Sequence, residues 1–157
     1  MTYRIAGLDP AQFAPLWAMT DDELARHRAR RVTADADHGF PCRITLEDAR
    51  AGESLILLNH EHHSADSPYR SSHAIYVREA ARAAAAYRDR TPPVFEGRTL
   101  SLRGFDACGM MTGAQLVPPG LAEAAIRALL QDERVAYIDA HNAARGCFAA
   151  RIERGGQ

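Results

Sequence analysis

The spacing of apolar and polar residues changes several times along the chain, and each change marks a predicted element. Residues 2–8 alternate, with Tyr3 and Ile5 on one side and Arg4 on the other, until Asp9-Pro10 stops them; the spacing predicts a short strand. Phe13, Leu16 and Trp17 then recur at helical spacing, and Thr20-Asp21-Asp22-Glu23 forms a capping box opening a second short helix that runs to about Arg30. Arg26, Arg28, Arg30 and Arg31 follow the three acids, an order that suits the helix dipole and predicts a solvated charged face. Residues 43–47, 54–62 and 74–78 carry strand patterns separated by turn residues, which predicts an antiparallel meander. Leu55-Ile56-Leu57-Leu58 is apolar on both faces, so this strand is expected to be central and covered on both sides at its start.

The alanine-rich residues 79–90 predict a helix ended by Pro92-Pro93. Strands are predicted over residues 99–105 and 114–117, on either side of a turn at Gly109-Met110-Met111. Ala122, Ala125, Ile126, Leu129 and Leu130 mark an amphipathic helix. A hairpin closes the chain: residues 135–142 and 147–153 are joined by residues 143–146, where Gly146 can adopt a positive φ, and residues 154–157 read as a loose polar tail. Strands and helices mixed without strict alternation predict an α+β fold in one domain over residues 1–157: a mainly antiparallel sheet of about six to eight strands with helices packed on one face. The alternative is a small, partly closed β-barrel with flanking helices. The expected sheet core is Leu55 to Leu58, Ile75, Val77, Leu100, Leu102, Ile138 and Ile152, with Phe13, Trp17, Ile126 and Leu130 packed onto it.

Composition narrows the function classes. The chain has 157 residues, 46% hydrophobic and 25% charged, with a net charge of −1, as expected of a soluble globular protein. All 19 of its basic residues are Arg. Without Lys there is no Schiff-base or phosphate-loop lysine chemistry, and no diffuse basic surface of the kind that follows a nucleic-acid backbone. The first residues lack the apolar core of a signal peptide, and no apolar run approaches the roughly 20 residues of a membrane span, so neither export nor a membrane partner is expected. Cys42, Cys108 and Cys147 form no Cys-x-x-Cys pair, which favours a reducing cytoplasm over a disulfide framework. The alanine and arginine bias points to a bacterial source. A homodimer is expected from base rates and an open strand edge.

Two groups of residues carry candidate chemistry. In Asn59-His60-Glu61-His62-His63, strand geometry puts His60 and His62 on one face, about 6.7 Å apart, so that both imidazoles can share a divalent transition metal. A metal site needs a third ligand, and His141 or Asp139 on the terminal hairpin are the leading candidates, ahead of His73. The same run also reads as solvated histidines at a strand end. The polar loop holding Tyr69 and Arg70, joined by Arg43 and Asn142, offers planar and neutral donors for a small anionic ligand, although turn residues and an Arg tying down carbonyls would look alike. The three cysteines read as buried and inert. Two function classes follow: a non-catalytic module that binds a small anionic ligand or a partner protein, and a metal-dependent small-molecule enzyme built on His60, His62 and His141.

Phe40-Pro41-Cys42-Arg43, the stretch from Leu57-Leu58-Asn59 to Tyr69-Arg70, Val77-Arg78-Glu79, Gly109-Met110-Met111 and His141-Asn142-Ala143 together resemble the bacterial domain-of-unknown-function family 1203. The resemblance covers nearly the whole chain, from Tyr3 to about Arg154. It implies a single domain and carries over no catalytic residue. Members of that family often have His-x-His-Asn where this chain has Asp139-Ala140-His141-Asn142, and they vary at the position of His60, so the resemblance does not imply a shared metal-ligand set.

Overall fold

The computed structural model describes residues 1–156, and Gln157 lies outside the described residues. In chain order the elements are β1 (Tyr3–Ala6), α1 (Ala14–Trp17), α2 (Asp21–Arg26), β2 (Ala29–Thr33), β3 (Ser54–His63), β4 (Ser71–Arg78), β5 (Ala86–Arg88), β6 (Leu100–Phe105), β7 (Met111–Val117), α3 (Ala122–Leu129), β8 (Tyr137–Asn142) and β9 (Phe148–Arg154). The strands form two antiparallel sheets, one of six in the order β5-β1-β9-β8-β6-β7 and one of three in the order β2-β3-β4. The fold is α+β and mainly β, and neither sheet closes into a barrel. The small sheet is inserted in sequence between β1 and β5, which are themselves neighbours in the large one.

Alternation builds the large sheet: Tyr3 and Ile5 are buried while Arg4 is exposed. Its core joins Ile5, Leu100, Leu102, Ile138 and Ile152 with Ile126 and Leu130 from α3 and its C-terminal end. Each fully buried aliphatic side chain contributes roughly 1.5–3 kcal/mol relative to exposure, so this layer holds α3 against β6 and β7. Gly146 takes the positive φ of 76° that turns β8 into β9. In the small sheet β3 is central, and Leu55 and Ile56 are fully buried on its two faces; Leu57 and Leu58 are half-buried. Ile56, Ile75 and Val77 pack with Phe13 and Leu24, and Trp17 lies half-buried at the edge of that cluster.

Four segments differ from the sequence-based expectation. The single sheet is instead two. The second helix stops at Arg26, and Arg28 turns the chain with a φ of 55° into β2, because pairing with β3 supplies backbone bonds that outweigh helix propensity. Arg31 is accordingly not on a solvated face: its guanidinium binds Asp21, Glu79 and two carbonyls. Residues 79–90 contain β5 rather than a helix, for the same reason, since β1 offers an open edge. Residues 43–47 are a turn wedged between the sheets: the Leu46 N–H donates to the Cys42 carbonyl, and Ile44 and Leu46 are both buried, so the alternation reflects burial without a ladder. β9 runs to Arg154, and the Gly155 N–H donates to the Thr2 carbonyl, leaving a shorter tail than expected.

Candidate functional site

Two groups of polar side chains lie along the seam where the sheets meet. The first lines a cavity of about 480 Å³ between the tip of the β8–β9 hairpin, the Leu57, Ala74 and Tyr76 face of the small sheet, and the wedge carrying Arg43. Arg43 is 2% exposed. Its Nε donates to the Phe148 carbonyl across the seam at 2.7 Å and Nη1 donates to the Pro41 carbonyl, with Cys147 lining the cavity beside the guanidinium. Among the described residues no carboxylate pairs with it. Burial pushes its pKa below the usual guanidinium range, opposed by the Cys147 and Cys42 sulfurs, with Arg98 adding repulsion. Arg98 is held bidentately by Asp48 at 2.8 and 2.9 Å, so its charge is balanced within the wall. Asn142 donates through Nδ2 to Cys147 Sγ at 3.4 Å, while its buried Oδ1 has no partner. The lining therefore combines an uncompensated cation, an unpartnered acceptor and an apolar floor.

The second group consists of His62 at the end of β3 and Asp139 and His141 on β8. One ligand atom from each lies within 4.8 Å of the others. Asp139 and His141 share a strand face by period-two spacing, and both are buried. His62 reaches them through a β-bulge: Glu61 pairs with Ser72 but His63 pairs with Ser71, so His62 is the extra residue and the alternation resets there. Its ring stacks on Phe148 at 4.9 Å and meets His141 edge-on at 4.9 Å. The His141 Nδ1–H donates to the Gly146 carbonyl at 2.9 Å, which leaves Nε2 with its lone pair. Burial, with repulsion from His60, His63, Arg151 and Arg103, pushes the His62 pKa down to about 4. Burial likewise lowers His141 to about 4, opposed by its bond to Gly146 and assisted by Arg103. Both imidazoles are therefore neutral at neutral pH.

The bulge corrects the expected His-x-His pair. His60 keeps the regular register opposite His73 and packs edge-on against Phe13 at 5.9 Å, away from His62 and His141. The expected anion loop is also dispersed. Arg70 forms a bidentate ion pair with Glu61 and bonds the Ser64 carbonyl, and Tyr69 is 39% exposed against Phe105; neither lines the Arg43 cavity. Arg43 and Asn142 do come together there. Cys147, read as buried and inert, and Arg98 also line this wall, and no local motif marks them; Cys108, read the same way as Cys147, is exposed.

The class defined so far is an antiparallel α+β protein with two polar clusters at its inter-sheet seam. The chain belongs to the family described as "Protein of unknown function (DUF1203)", whose model matches residues 39–154 and so takes in β3 to β9 and both clusters. No curated protein and no solved structure matches the chain. No helix among the described residues is long and apolar enough to cross a membrane.

Proposed function

We propose that the protein binds a small anionic ligand, carrying a carboxylate or phosphate, in the cavity lined by Arg43, Asn142 and Cys147. The observation that carries this reading is the burial of Arg43 without a carboxylate partner. A charge removed from water is costly unless compensated, and two carbonyl acceptors supply only part of that compensation. A ligand oxygen completes it, with the planar guanidinium suited to carboxylate or phosphate. The unpartnered Asn142 Oδ1 would accept a hydrogen bond from a ligand hydroxyl, and Leu57, Ala74, Ala143 and Ala144 suit a small organic body. A volume of about 480 Å³ lies within the range of small-molecule sites. A reducing cytoplasm goes with this reading, supported by three free cysteines.

The test is ligand-induced stabilisation. Inorganic phosphate and succinate, each compared with chloride at matched ionic strength, are expected to raise the melting temperature of the protein by about 5 °C for at least one anion, following mass action. Arg43→Met keeps the side chain's length and removes the charge, so it should abolish the increment whatever its effect on basal stability. Arg70→Ala should leave the increment intact. Absence of any increment, or an increment that persists in Arg43→Met, overturns the reading.

A further inference from the structure

We propose that His62, Asp139 and His141 form a binding site for one divalent first-row transition metal ion, distinct from the Arg43 cavity and independent of it. The three ligand atoms converge to within 4.8 Å of one another from two different sheets. Around a four-coordinate ion with bonds of about 2.0–2.1 Å, ligand atoms stand roughly 3.3 Å apart, so closure on the metal needs a contraction of about 1.5 Å at most. His62 is the one half-buried ligand of the three, so its side chain has the most room for that adjustment.

Each ligand is already oriented by a partner outside the cluster, which is the arrangement that holds metal ligands in place. The Gly146 carbonyl fixes His141 in the tautomer that presents Nε2. Ser71 Oγ lies 3.1 Å from His62 Nε2, which leaves Nδ1 for the metal, and that Nδ1 is buried with no partner of its own. Arg151 grips Asp139 through Nε and Nη2 at 2.7 and 2.9 Å, engaging one lone pair on each oxygen and leaving the others open. Two neutral imidazoles and one carboxylate suit zinc and its neighbours rather than calcium or magnesium, which prefer all-oxygen shells. The charge around the site opposes a cation: Asp139 offsets Arg151, but Arg103 stands directly opposite Asp139 in the β6–β8 ladder. Binding is therefore expected to be weaker than in sites without such a neighbour. A bound ion would tie the end of the small sheet to β8.

Cobalt(II) chloride titrated into metal-stripped protein is the probe. One equivalent should produce the visible absorption of four-coordinate cobalt, and zinc chloride should displace it. His62→Gln and His141→Gln, which retain much of the side-chain volume, should each weaken binding at least tenfold, whereas His60→Gln should not alter it. A readout on the unmodified chain guards against misfolded variants: with zinc, the ring nitrogen NMR signals of His62 and His141 should shift as metal ligands do, and those of His60 and His73 should stay. No cobalt spectrum, a spectrum retained in both Gln variants, or shifts confined to other histidines would overturn the site.

Discussion

Gly7 sits where β1 leaves the large sheet and passes the wedge of residues 43–47. Its N–H donates to the Ala85 carbonyl at 2.8 Å, and the next N–H, of Leu8, donates to Arg43 at 2.8 Å. A Cβ at Gly7 would stand 1.9 Å from the Ile44 carbonyl oxygen, which is backbone and cannot swing aside. Gly7→Ala is expected to cost about 3 kcal/mol or more in urea unfolding, and a cost under about 1 kcal/mol would show that the close approach is not maintained. The same wedge places Arg43, whose missing counter-charge can be supplied by the chain itself. Asn142→Asp sets a carboxylate in the cavity wall near the guanidinium, so it should compete with the ligand and reduce anion affinity at least tenfold by calorimetry; unchanged affinity would remove Asn142 from the site. Arg43 and Asn142 could be picked out by residue type alone. Their meeting could not, because it depends on a turn that reads as a strand in the alternation of Ile44 and Leu46, and on a hairpin tip folding back onto the other sheet.

Among the elements, the informative misreading is β3. Period-two spacing correctly makes its start a central strand with Leu55 and Ile56 on opposite buried faces, yet the same rule fails at the other end, where one extra residue turns His62 away from His60. A bulge has no side-chain signature here, so a pattern of side chains cannot reveal it. The alanine run at residues 79–90 fails differently: helix propensity is worth tenths of a kcal/mol per residue, and the pairing of β5 with β1 outweighs it. The bulge has a consequence for pH. It buries His62 against His141, and both titrate near about 4 when folded, against an ordinary value of 6.5. Between those values the unfolded chain binds more protons than the folded one. The stabilisation is therefore complete above about pH 6.5 and is lost as the pH falls toward about 4. Urea midpoints of metal-free protein should drop from about pH 7 to about pH 5, and the drop should shrink in the double variant His62→Gln/His141→Gln. An equal drop in both proteins would assign the acid sensitivity elsewhere.

At the scale of the whole molecule, two arginines cross between the sheets: Arg43 bonds the Phe148 carbonyl from the wedge, and Arg151 bonds the His62 carbonyl from β9 while gripping Asp139. The chain could show that Asp139 faces His141, but not that Arg151 would latch the far sheet, since the insertion of β2 to β4 between β1 and β5 is a property of topology alone. The Asp139–Arg151 pair can be dissected because its two halves differ in burial, with Asp139 fully buried and the Arg151 side chain about a third exposed (34%). Removing only the cation, in Arg151→Met, strands a carboxylate in the core and should cost about 3 kcal/mol, the lower end of the range for buried pairs because water already reaches the arginine. Replacing both, in Asp139→Leu/Arg151→Met, leaves no charge unpaired and should return stability to within about 1 kcal/mol of the starting protein. Cobalt binding should not return with it, because the carboxylate ligand is gone. Urea unfolding and cobalt titration on the same three proteins separate the roles. Recovered stability without metal binding would show that the pair is kept for what it orients, whereas a double variant no more stable than Arg151→Met would make the latch between the sheets its main contribution.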